Sequence, residues 1–149
     1  GNYYEMMLGS LQAGLAFSNA SLGAVHAMAH SLGGVLNLPH GECNSILLGP
    51  VIEINFHSAP KRYGCIAVTM GIDTDRLNAE EIRLLLVKKI RDLREHLGIA
   101  EFVAADKTAE LLDKLADAAL NDPCMVTNPK KLEKQEVKGL YERIIRAER

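Results

Sequence analysis

His26, His30 and His40 lie in one small-residue, apolar stretch, Ala24-Val-His-Ala-Met-Ala-His-Ser-Leu-Gly-Gly-Val-Leu-Asn-Leu-Pro-His-Gly41. Residues four apart share a helix face, so His26 and His30 would present their imidazoles together. The Pro39-His40-Gly41 turn is placed to fold a third ring back toward them. Neutral imidazole is the commonest metal ligand among side chains, and it titrates near neutrality. Three such rings among Ala, Gly, Leu and Met predict a partly dry site. A lone histidine on an apolar helix face is more often a hydrogen-bonded core residue. The pattern alone therefore leaves a metal, a catalytic and a structural role open. A zinc protease is disfavoured: His26-Ala-Met-Ala-His30 has HExxH spacing, but Ala27 stands where the glutamate base must be.

The elements that must hold these rings read as helices. Asn2 to about Phe17 is a helix rich in Ala, Gly, Leu and Met. Ser18-Asn19-Ala20-Ser21 offers N-cap chemistry for a second, from Leu22 to Leu36. A third follows His40 to about Phe56, with a kink or early break expected at Pro50, and a short fourth covers Lys61 to Met70. Asn78 and Glu81 resemble a capping box for a helix from Glu80 to Leu97, in which Ile82, Leu85, Leu86, Ile90, Leu93 and Leu97 keep helical period before Gly98. Lys107 to Leu120 repeats this grammar, and Asn121-Asp122-Pro123 stops it. The last helix, Leu132 to Ala147, should bury Val137, Leu140, Tyr141, Ile144 and Ile145. Only Ile99 to Ala104 reads as an extended piece. The fold expected is an all-α, compact bundle of six to eight helices in one domain.

The chain has 149 residues, enough for a single core that buries roughly 70% of the unfolded surface. Its net charge of -2 supplies no electrostatic footprint for nucleic acid or an anionic membrane. The longest apolar run, Leu11 to Leu38, is broken by Ser, Asn, His and Gln, so no membrane span is expected. Cys43, Cys65 and Cys124 are odd in number, far apart and without a CxxC pair, which fits a reducing cytoplasm better than a disulfide framework. No basic and apolar leader precedes the first helix. The chain opens on Gly1 inside helix-like sequence, as expected of a piece of a longer protein. His57 reads as a surface histidine and His96 as a partner of its helix's negative end. Lys130-Lys131-Leu-Glu-Lys-Gln-Glu136 is a solvated helix start. No GxGxxG motif or P-loop is present.

The run Ala13-Gly-Leu-Ala-Phe-Ser-Asn-Ala-Ser-Leu-Gly-Ala-Val-His-Ala-Met-Ala-His-Ser-Leu-Gly-Gly34, then Asn37-Leu-Pro-His-Gly41 and Asn44-Ser-Ile-Leu-Leu48, closely resembles the iron-containing (group III) alcohol dehydrogenases. Asn121-Asp-Pro-Cys-Met-Val-Thr-Asn-Pro129 and the final amphipathic helix extend the likeness to essentially the whole chain. The resemblance implies a two-domain enzyme on a dehydroquinate synthase-like scaffold, of which this sequence is the C-terminal helical half. The N-terminal nucleotide-binding domain is expected to be absent. In that family a divalent metal, Fe²⁺ or sometimes Zn²⁺, takes one Asp and three His. By position, His26 and His40 match the two late ligands, while the earlier Asp-x3-His pair would precede residue 1. His30 matches a histidine near the nicotinamide that helps move the hydroxyl proton. Phe17 and Cys124 fall where the cofactor–substrate cleft is lined.

The activity so implied is hydride transfer between a small alcohol, aldehyde or ketone and NAD or NADP, the nucleotide being held mainly by the missing half. A metal there lowers the pKa of the alcohol hydroxyl and, in reverse, polarises a carbonyl. The piece alone should be catalytically silent. An uncovered apolar face around residues 13 to 40 should favour homo-oligomers. Two alternatives stand beside this reading: a free-standing helical module that binds metal or a partner without redox chemistry, and a relative of the glycerol dehydrogenases.

Overall fold

The computed structural model describes residues 1–99, 102–104 and 108–147. Seven α-helices lie among them: α1 (Asn2–Ala20), α2 (Ala24–Leu36), α3 (His40–Asn55), α4 (Pro60–Thr69), α5 (Ala79–His96), α6 (Ala109–Leu120) and α7 (Lys134–Ile144). Short 3-10 turns occupy Phe56–Ser58 and Pro123–Thr127. The main core joins α2, α3, α6 and α7, with Met28, Leu32, Leu47, Leu115, Val137 and Tyr141 fully or almost fully buried. A smaller cluster, Ile52, Ala67, Leu86 and Ile90, links α3 to α4 and α5. In α2, Ala24, Ala27 and Ala29 have no exposed surface. Their small side chains let the neighbouring helix backbones come close, which places α2 at the centre.

The all-helical architecture matches the sequence reading, and the differences sit at element ends. The Ser18–Ser21 run does not cap α2. It continues α1 to Ala20, with the Ser18 hydroxyl and the Asn19 amide bonding back to the carbonyls of Gly14 and Leu15. The α2 start is instead held from far along the chain: the Ala24 N–H donates to Asn128 Oδ1 at 3.1 Å. A Cβ on Gly23 would meet that same oxygen at 3.3 Å. Pro50 is accommodated inside an unbroken α3.

The capping box at α5 forms as expected, Asn78 Oδ1 accepting from the Glu80 and Glu81 N–H groups and Glu81 accepting from the Asn78 N–H. Only Leu86 and Ile90 of the α5 apolar row become buried; Leu85, Leu93 and Leu97 remain exposed. Gly98, at φ +69°, ends this stretch in the left-handed region. The last helix stops at Ile144 rather than Ala147. Residues Ile145–Ala147 form a strand, β2, that pairs in parallel with β1 (Phe102–Ala104), Phe102 opposite Ile145. Backbone pairing with the extended piece around 102–104 prevails there over helical propensity. Ala100, Glu101 and Lys107, included in the expected extended piece and in the start of the sixth helix, lie outside the described residues.

α1 differs from the rest. None of its nineteen residues is buried, and Tyr3, Met6, Met7, Leu11 and Leu15 are largely exposed. The apolar exposure expected over residues 13 to 40 is thus confined to its first part. From Ala24 onward the apolar face of α2 is covered by α3, α6 and α7. Among the described residues, no helix is long and apolar enough to cross a membrane.

Candidate active site

The three imidazoles come together. Ring centroids are 6.1 Å apart for His26 and His30, 5.4 Å for His26 and His40, and 5.2 Å for His30 and His40. The turn between α2 and α3 makes this possible. Asn37 adopts the left-handed conformation at φ 53°, and the Leu38 N–H donates to the Gly33 carbonyl at 3.2 Å. A Cβ at position 33 would sit 3.1 Å from the Leu38 carbonyl oxygen, so glycine permits the close return of the chain. Pro39 then starts α3 with extended geometry, and His40 opens the helix beside the C-terminal half of α2.

The rings are not equivalent. His30 and His40 are stacked, with planes only 19° apart, whereas His26 is tilted by 51° to His40. Burial, with the neighbouring His40 and His30 adding to it, holds the His26 pKa below its ordinary value, against a weaker opposing pull from Asp122. Among the described residues, His30 alone of the three engages a carboxylate: its Nδ1 lies 2.9 Å from Asp122 Oδ2, with the His30 side chain 43% and the Asp122 side chain 16% exposed. Burial pushes the Asp122 carboxyl upward, and hydrogen bonds from His30 and the Cys124 N–H more than offset it, leaving the group below its usual range. His40 Nε2 is 2.8 Å from the Asn44 side-chain amide, one helical turn on.

Asp122 was legible in the sequence only as part of a helix stop. Its chemical role needed the tertiary fold, because it stands 92 residues from His30. It opens the Pro123–Thr127 turn, its Oδ1 accepting from the Cys124 N–H at 2.8 Å. That turn brings Cys124 beside His30, the ligand atoms of His30, Asp122 and Cys124 all lying within 4.8 Å of one another. Burial, then the adjacent Asp122, raise the Cys124 thiol pKa. Phe17 is half exposed on α1, where it lines a groove with Leu11 and Gly14 of the same helix.

Two further residues build the site from behind. Tyr141 of α7 is fully buried, and its hydroxyl donates to the Met28 carbonyl at 2.9 Å while lying 2.5 Å from Ser31 Oγ. Met28 stands midway between His26 and His30, so this contact fixes the helix at the point from which both rings project. Asn128 forms a reciprocal amide pair with the buried Asn55 (2.7 and 2.9 Å) while capping α2. The Thr127 hydroxyl donates to the Leu22 carbonyl just before it. The Asp122–Asn128 segment thus ties the start of α2 to the residue that engages His30.

Residues 3–145 match the model of the Fe-containing alcohol dehydrogenase family, C-terminal region. The chain belongs to that family. Among curated relatives, it is 38% identical over 138 residues to lactaldehyde reductase of Escherichia coli K12, covering 92% of this chain and 36% of that protein. It is 32% identical over 140 residues to choline dehydrogenase of Bacillus subtilis, covering 94% and 35%. Alcohol dehydrogenase 4 of Schizosaccharomyces pombe is 41% identical over 133 residues, covering 86% and 30%. Among solved structures, an alcohol dehydrogenase from Oenococcus oeni superposes with TM-score 0.81 at 36% identity, over 89% of this chain and 35% of that one. A 1,3-propanediol oxidoreductase superposes with TM-score 0.81 at 33% identity, over 91% and 36%. The chain therefore spans about a third of the length of the relatives it matches. Its helical bundle corresponds to the C-terminal domain of these Fe-containing alcohol dehydrogenases.

Proposed function

We propose that this chain supplies the metal-facing half of an NAD(P)-dependent dehydrogenase acting on a small alcohol or the matching aldehyde or ketone. The observation that carries the reading is the convergence of three imidazoles, of which, among the described residues, only His30 is held by a carboxylate. His26 and His40 would be two of the ligands of Fe²⁺, or of Zn²⁺. Their fit rests on two features. Two imidazoles on one tetrahedral ion, with metal–nitrogen bonds of about 2.0–2.1 Å, put their ring centroids roughly 5 Å apart, and the observed separation is 5.4 Å. The surroundings of His26, burial first and the neighbouring imidazoles next, lower its pKa and so favour the neutral ring that a metal ligand needs. His30 is assigned a different part: its Nδ1 is already engaged by Asp122 Oδ2 at 2.9 Å, whereas His26 and His40 meet no carboxylate among the described residues.

Bound at His26 and His40, the cation would supply Lewis acidity toward the substrate oxygen. NAD(P), held mainly by a preceding nucleotide-binding region, would take or give the hydride. His30 is the proton carrier. Asp122 on Nδ1 fixes the tautomer that leaves Nε2 as acceptor, so Nε2 takes the hydroxyl proton in alcohol oxidation and returns it in carbonyl reduction. Asp122 stabilises the imidazolium formed on the way. Cys124 is proposed to line the cleft beside this pair, and Phe17 to line it from α1. The nucleotide-binding region, together with a second copy of the protein, is proposed to cover the exposed apolar side of α1.

The test has two arms. The chain mixed with NAD⁺, Fe²⁺ or Zn²⁺ and short alcohols should form no NADH by absorbance, and robust turnover would refute the need for a second region. The protein encoded by the full reading frame should turn over, and His30→Gln in it should lower kcat by roughly 10²–10⁴-fold. A full-length protein inert toward every short alcohol and aldehyde with either nucleotide would sink the assignment.

A further inference from the structure

Beyond the imidazole pair assigned to the family metal, the neighbouring side chains carry a differently composed donor set. We propose that His30, Asp122 and Cys124 form a second cation site, with one nitrogen, one oxygen and one sulfur ligand, suited to a thiophilic divalent ion such as Zn²⁺.

Zinc is held by His nitrogen and Asp oxygen at about 2.0–2.2 Å and by Cys sulfur at about 2.3 Å, so tetrahedral ligand atoms lie roughly 3.4–3.6 Å apart. Here all three ligand atoms lie within 4.8 Å of one another, and His30 Nδ1 and Asp122 Oδ2 are already 2.9 Å apart. Small side-chain rotations bring them onto one ion. Two of the three donors are arranged in advance. Asp122 and Cys124 flank the rigid Pro123, and the hydrogen bond from the Cys124 N–H to Asp122 Oδ1 sets their relative position. His30 reaches them from the buried scaffold of α2, which Tyr141 anchors at Met28. The open side of the site, where His30 is 43% exposed, leaves room for water as the remaining ligand. On binding, the thiol proton is released to solvent and the His30 proton moves to Nε2, so the ion replaces the hydrogen bond between His30 and Asp122.

The sulfur ligand separates this site from the His26–His40 pair, which contains none. Cys43 is buried in the main core, and Cys65 is exposed on α4, so neither belongs to the donor set. On the dehydrogenase reading, occupation would withhold His30 from proton transfer; that consequence rests on the reading, whereas binding itself does not.

Cobalt(II) is the probe, because it takes tetrahedral zinc sites and gives a thiolate-to-metal charge-transfer band that nitrogen and oxygen ligands do not. Titration of the reduced chain should raise that band to one equivalent, and excess Zn²⁺ should bleach it. Cys124→Ser should abolish the band, and Asp122→Asn should weaken Co²⁺ binding about 10-fold or more. Cys65→Ser and His26→Ala should keep it, with circular dichroism confirming helicity in each variant. Absence of a sulfur band in the folded wild-type chain overturns the proposal. So does a band that survives Cys124→Ser, or one that disappears in a folded His26→Ala variant.

Discussion

Helices α1 and α2 are adjacent in the chain and built from the same small and apolar residues, yet α2 buries Ala24, Ala27, Met28, Ala29, Ser31 and Leu32 while α1 buries nothing. Their difference lies in what surrounds them. α2 has an amide from Asn128 at its first turn, a phenol from Tyr141 at its middle, and α3, α6 and α7 against its apolar face. The side-chain hydrogen bonds of α1 at Ser18 and Asn19 return to its own backbone. Apolar composition supplies the capacity to be buried, and partners decide whether it is used. An isolated helix of this length is marginal in water, so α2 owes its rigidity to packing rather than to propensity. The rings that matter chemically project from the rigid helix.

The sharpest way to break this contrast is a pair of matched truncations. Leu32→Ala in α2 removes a fully buried side chain, and Leu11→Ala in α1 removes an exposed one. Urea denaturation should show a loss of about 2–5 kcal/mol for the first and a change within roughly 0.5 kcal/mol for the second. Comparable losses at both positions would mean that α1 is packed in solution against something this single chain does not include. A smaller effect is expected at the α2 cap. Asn128→Ala removes the acceptor for the Ala24 N–H and leaves the buried Asn55 amide without its reciprocal partner. The expected cost is about 2–3 kcal/mol, with faster amide exchange confined to the first turn of α2. Uniform exchange across the bundle would instead point to a global role for Asn128.

These residues also mark how far the sequence could be read. Apolar period placed each of the seven α-helices among the described residues, and at α5 the Asn78–Glu81 box also fixed the start, because both are local signals. The convergence of His26, His30 and His40 was legible too, since two share a helix face and the Pro39-His40-Gly41 run signals a turn back toward them; the reversal itself falls slightly earlier, at left-handed Asn37, with His40 already in α3. Asp122 and Asn128 were not legible as site residues. Each acts across about a hundred residues of chain, and at sequence level each looks like ordinary turn chemistry. For the same reason Ser18–Ser21 passed for the α2 cap: the local signal was genuine in type, but a distant amide took the position. The strand at Ile145–Ala147 escaped because its partner, not its own pattern, makes it a strand.

The smallest effect concerns charge. Glu53 of α3 accepts from Arg83 Nη1 of α5 at 2.9 Å and from Arg143 Nη2 of α7 at 2.5 Å, a three-helix tie for which α1 has no counterpart among the described contacts. Burial pushes the Glu53 carboxyl up, but the two guanidinium groups outweigh it and hold the pKa below the usual glutamate range. Between the folded and unfolded values the unfolded chain binds more protons, so this contribution is present above the unfolded value and is lost as pH falls through the folded one. With Glu53 partly exposed, the tie is worth on the order of 1 kcal/mol. Glu53→Gln should therefore destabilise the bundle slightly at neutral pH and make the fall in urea midpoint below pH ~4.5 shallower than in wild type. Parallel acid limbs for the two proteins would show that the ion pairs hold the three helices in register without stabilising them, leaving apolar packing and the Asn128 and Tyr141 hydrogen bonds as the difference between the rigid centre and α1.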